Sequence, residues 1–254
     1  MRLLLVLKLL VWLPSLGFAA SAPEMPPMSG VNDVKFKESS FDNDFAGNAF
    51  LIEHQGRVLA VTVKHALLIA KTDSMKTVDL EGQLASWRVH PNGEPDKYIE
   101  LGRLLNADPT EALDPGVIER DWLVFEVQAN HSPLQPLKLR ADPVVAGERL
   151  FAVGCSYAFR DDCSPQRVAP GTFISYSGSN LLVDLDSFDT SKLGGLSGSP
   201  VVDADHHLVG IVSNVLPHPS GKGDVFAPAS LDYLRQVLAK LPATEAARSV
   251  SQVN

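Results

Sequence analysis

Leu193-Gly194-Gly195-Leu196-Ser197-Gly198-Ser199-Pro200, followed by Val201-Val202 and then by Leu208-Val209-Gly210-Ile211-Val212, decides how this chain is read. Small residues crowd a hydroxyl between a loop and two apolar runs of strand length. A serine on so tight a turn exposes its oxygen. Glycines beside it let backbone N–H groups converge where negative charge forms when a carbonyl is attacked. The same letters also suit a surface turn between strands. A base and an orienting acid elsewhere in the chain separate the two readings.

His65 follows the apolar run Val58–Val63 in Thr62-Val63-Lys64-His65-Ala66-Leu67. At a strand end its imidazole can project into a cleft, and its near-neutral titration suits a general base. The plainer reading is a partly buried or surface histidine. Asp121 opens Trp122-Leu123-Val124-Phe125-Glu126-Val127. There a carboxylate can be partly desolvated and accept from an imidazole N–H, fixing the tautomer and steadying the imidazolium; alone it reads as a turn aspartate. His54, His90, His131 and His218 fall in turns or near prolines. His206-His207 beside Asp203 and Asp205 could touch a metal, but no third cluster supports one, and no metal is expected.

The 254 residues, 45% hydrophobic, suffice for a large core. Met1 to Ala19 reads as a secretory signal: Arg2 gives the positive start, Leu3 to Leu13 the apolar stretch, and Gly17 and Ala19 the small residues before a cleavage site. That run is shorter than the roughly 20 residues a membrane span needs, so no stable membrane anchor is expected. Without Arg2 and Lys8 the formal charge moves from −8 to about −10. No basic stripe remains, which argues against nucleic acid as a partner. Cys155 and Cys163, the only cysteines, would meet an oxidising compartment, and a local disulfide is expected, with two free thiols as the alternative.

Residues 20–33 read as a flexible leader rich in proline and methionine. Short β-branched and apolar runs then recur between Gly, Pro, Asn and Asp clusters: a hairpin over Phe50–Val63, then 86–90, 122–127, 149–154, 171–176, 181–185, 199–202, 208–213 and 224–227. Many short strands with little helical periodicity predict a barrel or sandwich. The one helix expected begins at Ser230 as N-cap and carries the stripe Leu231, Leu234, Val237, Leu238 and Leu241 until Pro242. Residues 243–254 read as a disordered tail, and 34–242 as the folded unit.

Together these residues resemble the trypsin/chymotrypsin-like serine peptidases over roughly Asp42 to Leu241. Gly47-Asn48-Ala49-Phe50-Leu51-Ile52 through Thr62-Val63-Lys64-His65-Ala66 is similar to the family's first hairpin and histidine. Asp121-Trp122-Leu123-Val124 is similar to its aspartate, and Gly195–Pro200 with Leu208–Ser213 to its nucleophile loop and substrate-receiving strand. The resemblance implies an all-β fold of two antiparallel six-stranded β-barrels with a C-terminal helix. It further implies Ser197 as nucleophile, His65 as base, Asp121 as orienting acid, and an oxyanion hole from the N–H groups of Gly195 and Ser197. No cofactor is implied. The expectation is a secreted or periplasmic monomer hydrolysing a protein or peptide substrate.

The chain also departs from the family. Val63 and Lys64 replace two small residues before the histidine, and the cysteines flanking it in animal digestive enzymes are absent, which points to bacterial-type or divergent branches. Leu196 stands where zymogen-type members carry an aspartate for a freed N-terminus, so activation by terminal insertion is not expected. By analogy Ser213, Asn214 and Val215 form a pocket wall, Thr190 and Ser191 its base, and Asp224 an opposing carboxylate favouring Arg or Lys. A non-catalytic trypsin-like fold used as a binding module is the second reading, prompted by Lys64. An α/β-hydrolase is excluded: Ser199 stands where its elbow needs a second glycine, a strand follows, and His65 precedes the serine.

Overall fold

The computed structural model describes residues 25–187, 189–221 and 223–242. The expected signal at 1–19, the start of the leader and the tail at 243–254 lie outside the described residues. The first half forms β1 (Gly30–Phe36), β2 (Asn48–His54), β3 (Arg57–Thr62), β4 (Thr77–Val78), β5 (Leu84–His90), β6 (Ile99–Leu104), β7 (Asp108–Ala112) and β8 (Leu123–Asn130). The second half forms β9 (Arg149–Gly154), β10 (Arg167–Ser177), β11 (Asn180–Leu185), β12 (Pro200–Val202), β13 (Leu208–Pro217) and β14 (Asp224–Ser230), then helix α1 (Asp232–Lys240). Two closed antiparallel barrels result, ordered β1-β2-β3-β8-β6-β5 and β10-β11-β14-β13-β12-β9; β4 and β7 pair separately as an arm.

The β2–β3 hairpin shows how the sequence selects this. His54 pairs with Arg57 across Gln55 and Gly56, both at positive φ, the two-residue turn whose twist matches the strands. Beyond the turn both strands are apolar on both faces, because both faces are covered. Leu51, Ala60, Leu123 and Phe125 fill the first barrel. Phe50, Ile52, Leu59, Val61, Trp122 and Val124 point outward into a second cluster with Phe151, Val153, Leu234 and Leu238 from the other half. Continuous rather than alternating apolar runs are what strands buried on two faces require. A third cluster, including Leu150, Phe173, Val183, Val201 and Phe226, fills the second barrel.

Three boundaries differ from expectation. Strand β1 takes Gly30–Phe36, and Met28 is fully buried, so the leader expected through residue 33 is already folded by residue 28. Gln166 accepts the N–H groups of Met28 and Ser29, contacts 137 or more residues away that no local composition signals. Strand β6 was not singled out in Ile99-Glu100-Leu101-Gly102-Arg103-Leu104, where Gly102 interrupts the alternation. Ser230 ends β14, pairing with Gly210, and its carbonyl accepts from Trp122 Nε1. Its hydroxyl also accepts the N–H of Asp232 at 3.4 Å, the bond expected of a cap, with Leu231 standing between it and the first residue of α1. The apolar stripe of α1 is as expected.

The two barrels are joined by more than this core. In the connector, Leu137 exchanges backbone hydrogen bonds with Leu51 and Glu53 of β2. Leu208 of β13 does the same with Lys138 and Arg140. A disulfide links Cys155 to Cys163, with Cα atoms 5.8 Å apart, and fastens the loop after β9. No helix among the described residues is long and apolar enough to cross a membrane.

Because Phe50 is fully buried between the barrels, Phe50→Ala should lower unfolding free energy by about 3–5 kcal/mol. Urea denaturation checks this. A loss below about 1 kcal/mol would mean the inter-barrel cluster is not the principal core.

Candidate active site

Asp121 follows the 3-10 turn Pro115–Arg120 and immediately precedes Trp122 and β8. Its carboxylate is fully buried, a cost of several kcal/mol unless donors meet it. Three do. Oδ1 accepts the backbone N–H of His65 at 2.9 Å; Oδ2 accepts from His65 Nδ1 at 2.6 Å and from the Ser213 hydroxyl at 2.5 Å. Facing an acceptor, Nδ1 carries the ring proton, and Nε2 of the neutral imidazole is left as an acceptor. His65 itself sits on the 3-10 turn Lys64–Leu68, which begins where Val63 ends its extended conformation.

Ser197 reaches the same junction through β13. Gly198 donates to the carbonyl of Val212 at 2.9 Å, and Val212 donates to that of Ser199 at 2.8 Å. The next residue is Ser213, the hydroxyl on Asp121. One strand thus holds the serine loop at one position and the buried carboxylate at the next. Ser197 is half-buried, and its carbonyl accepts the N–H of Asn48 at 2.7 Å.

The turn around Ser197 requires its glycines. Gly195 and Gly198 both have φ near +84°. A Cβ on Gly195 would lie 2.7 Å from the Tyr157 ring, and one on Gly198 2.0 Å from the Asn48 carbonyl oxygen. Within the turn, Leu196, Gly198 and Ser199 donate their N–H groups to the carbonyls of Leu193, Val212 and Leu196. Those of Gly195 and Ser197 have no acceptor among the described residues. The loop's own carbonyls therefore leave these two N–H groups, which flank Leu196, unclaimed.

Asn48, which sequence reasoning did not single out, holds that loop from the first barrel. Its Nδ2 donates to the carbonyls of Gly195 at 2.6 Å and Cys155 at 2.8 Å, and its Oδ1 accepts the N–H of Cys155 at 3.0 Å. Its own carbonyl accepts from Asn32 and Thr62. The available signal was an amide leading an otherwise apolar strand, in Asn48-Ala49-Phe50-Leu51-Ile52. From the other side, Tyr157 donates its N–H to Gly194 and its hydroxyl to Phe45. Burial raises the Tyr157 phenol above its ordinary value.

The remaining expected residues are less closely gathered. Ser213, Asn214 and Val215 lie along β13, half-buried. Ser191 is exposed and donates its hydroxyl to Asp189, on the 3-10 turn that includes Thr190. Asp224 is exposed and pairs with Pro217. Its rung lies three beyond that of Asn214, roughly 10 Å along the β13–β14 ladder. Leu196 is buried and, with Leu193, Ala152, Val168 and Leu185, lines a cleft of about 450 Å³ beneath the loop. Asp203, Asp205 and His207 do approach one another. Asp203 Oδ1 accepts the N–H groups of Asp205 and His207, and Arg140, bound through both terminal nitrogens to Glu148, faces its Oδ2 at 3.4 Å.

Asn48→Ala would strand two carbonyls and one N–H in a dry site. It should cost about 2–4 kcal/mol, visible as a lower urea midpoint with an unchanged slope. An unchanged midpoint would remove Asn48 from its bridging role.

A family model described as a trypsin-like peptidase domain matches residues 47–211. No curated protein matches the chain by sequence. Among solved structures, the active form of the Rv3671c protease from M. tuberculosis is similar with a TM-score of 0.55 at 16% identity, over 87% of this chain and 83% of that one. A serine-to-alanine mutant of Rv3671c in its inactive form gives 0.49 at 16% identity, over 85% and 88%.

Proposed function

This chain belongs to the trypsin-like peptidase domain family, and from that premise we propose that it is a secreted serine endopeptidase whose catalytic residues are His65, Asp121 and Ser197. The observation that carries the reading is the buried Asp121 carboxylate, shared by His65 Nδ1 and the Ser213 hydroxyl. It leaves His65 Nε2 free to act on a proton outside the pair.

In this mechanism Ser197 Oγ attacks the scissile carbonyl as its proton passes to His65 Nε2. The imidazolium, stabilised by Asp121, returns that proton to the leaving amine. The acyl-enzyme is then cleaved by water, which gives one proton to His65 and its oxygen to the acyl carbon; the proton returns to Ser197. The oxyanion is met by the N–H groups of Gly195 and Ser197, worth about 3–4 kcal/mol of barrier per donor. The buried apolar side chain of Leu196 supports competence without a freed N-terminus. The Cys155–Cys163 disulfide suits export, and we propose a monomer needing no cofactor. Lys64, which prompted the binding-module reading, is turned into the protein, with its Nζ on Glu111.

Fluorophosphonate labelling of the purified protein tests this. Labelling should vanish in Ser197→Ala and His65→Ala, and Asp121→Asn should slow it by about 10⁴-fold. Absence of labelling from neutral to alkaline pH would overturn the proposal and favour a binding module. On a peptide library, Asp224→Asn should leave the residue preferred before the cleaved bond unchanged. A lost preference for Arg or Lys would return Asp224 to the pocket.

A further inference from the structure

We infer that Glu111, on the β4–β7 arm, is a positioning residue that ties the segment carrying His65 to the segment carrying Asp121. The inference rests on the peptidase reading above. The residue before His65 is Lys64 and the residue before Asp121 is Arg120, and both cations reach Glu111. Lys64 Nζ lies 2.6 Å from Glu111 Oε2, and Arg120 Nη2 lies 3.8 Å from Oε1. Each carboxylate oxygen therefore takes one of the two segments.

The Lys64 arm is the stronger. Lys64 is fully buried, its ammonium within 3.3 Å of the Tyr233 hydroxyl and 4.7 Å from the centre of that ring. Arg120 is largely exposed and sits 5.9 Å from the same ring, so its pairing is open to water and weaker. Tyr233 belongs to α1, which brings the C-terminal helix onto the back of the site. Glu111 is fixed in turn. Asp108 accepts the N–H groups of Thr110 and Glu111 and the Thr110 hydroxyl, and these bonds hold the Asp108 carboxyl below its usual range.

An apolar side chain at position 64 would bury at lower cost, because a buried ion pair often adds little net stability over well-packed hydrophobic residues. What the pair supplies is direction. It holds the start of the 3-10 turn on which the imidazole sits. His65 is thereby held twice, by Asp121 and through its own neighbour by Glu111. Displacement of a reacting group by about 1 Å can cost 10²-fold in rate, so a partial loosening should read as a rate effect.

The test compares Glu111→Gln, Lys64→Met/Glu111→Gln and Arg120→Gln with the unaltered full chain by fluorophosphonate labelling rate, melting temperature and the NMR Cε1–Hε1 signal of His65. Glu111→Gln should label about 10-fold more slowly and broaden or split the His65 signal. The double variant, freed of an unpaired buried charge, should recover melting temperature yet remain slow; Arg120→Gln should slow labelling by less than about threefold. Labelling of Glu111→Gln within about twofold of the unaltered chain, or recovery of rate together with melting temperature in the double variant, would overturn the inference and make Glu111 structural only. If the unaltered chain does not label at all, the peptidase reading fails by itself. The His65 signal then decides the clamp: perturbed in Glu111→Gln, it stands; unchanged, it falls.

Discussion

Asp121 is a carboxyl group wholly sealed from the surface, and much of the junction between the barrels follows from that constraint. Its oxygens must be met by donors, and the fold supplies them from both halves: the backbone and ring of His65 from the first barrel, the hydroxyl of Ser213 from the second. Withdrawing either half would leave the carboxylate partly unpaired in an apolar setting, at a cost of several kcal/mol. Barrel docking and imidazole orientation are therefore one requirement rather than two. Trp122, the next residue, carries the same coupling into the core, its ring among the inter-barrel apolar residues and its Nε1 on the Ser230 carbonyl.

A second coupling runs the other way. The serine loop belongs to the second barrel, yet its Gly195 carbonyl is held by an amide of the first. That amide is backed by Asn32, whose side chain spans Ala46, Asn48, Thr62 and Trp87. Buried polar networks of this kind rigidify when every member is satisfied. The loop that carries Ser197 is thus set by the strand start at Asn48 as much as by its own glycines.

What was legible in the sequence is what local pattern encodes. The hairpin turn at Gln55-Gly56, the doubly apolar strands after it, the glycine-framed Ser197 and the strand-end His65 and Asp121 can all be read from neighbours in the chain. The first strand could not, because Met28 and Ser29 are anchored by Gln166 and Gly30–Phe36 pairs mainly with β5. Ser230 was legible only in part: its hydroxyl takes the N–H of Asp232 as a cap does, while its backbone is claimed by Gly210, Ser179 and Trp122, distant contacts that no local pattern signals. Lys64 shows the limit of reading a charge by its neighbour. Beside His65 in sequence, it suggested interference; in space it turns inward to Glu111, forty-seven positions away.

The connector between the barrels has a further consequence. Leu137 to Arg140 is stitched by backbone hydrogen bonds to both halves, whereas Ala141, Asp142, Pro143, Val145 and Gly147 just beyond are exposed. A protease that clips this exposed stretch would leave the stitched segment on the first fragment, still zipped onto Leu208 of the second. A cut there would thus fall outside the segment that joins the two halves, and leave its hydrogen bonds to both untouched.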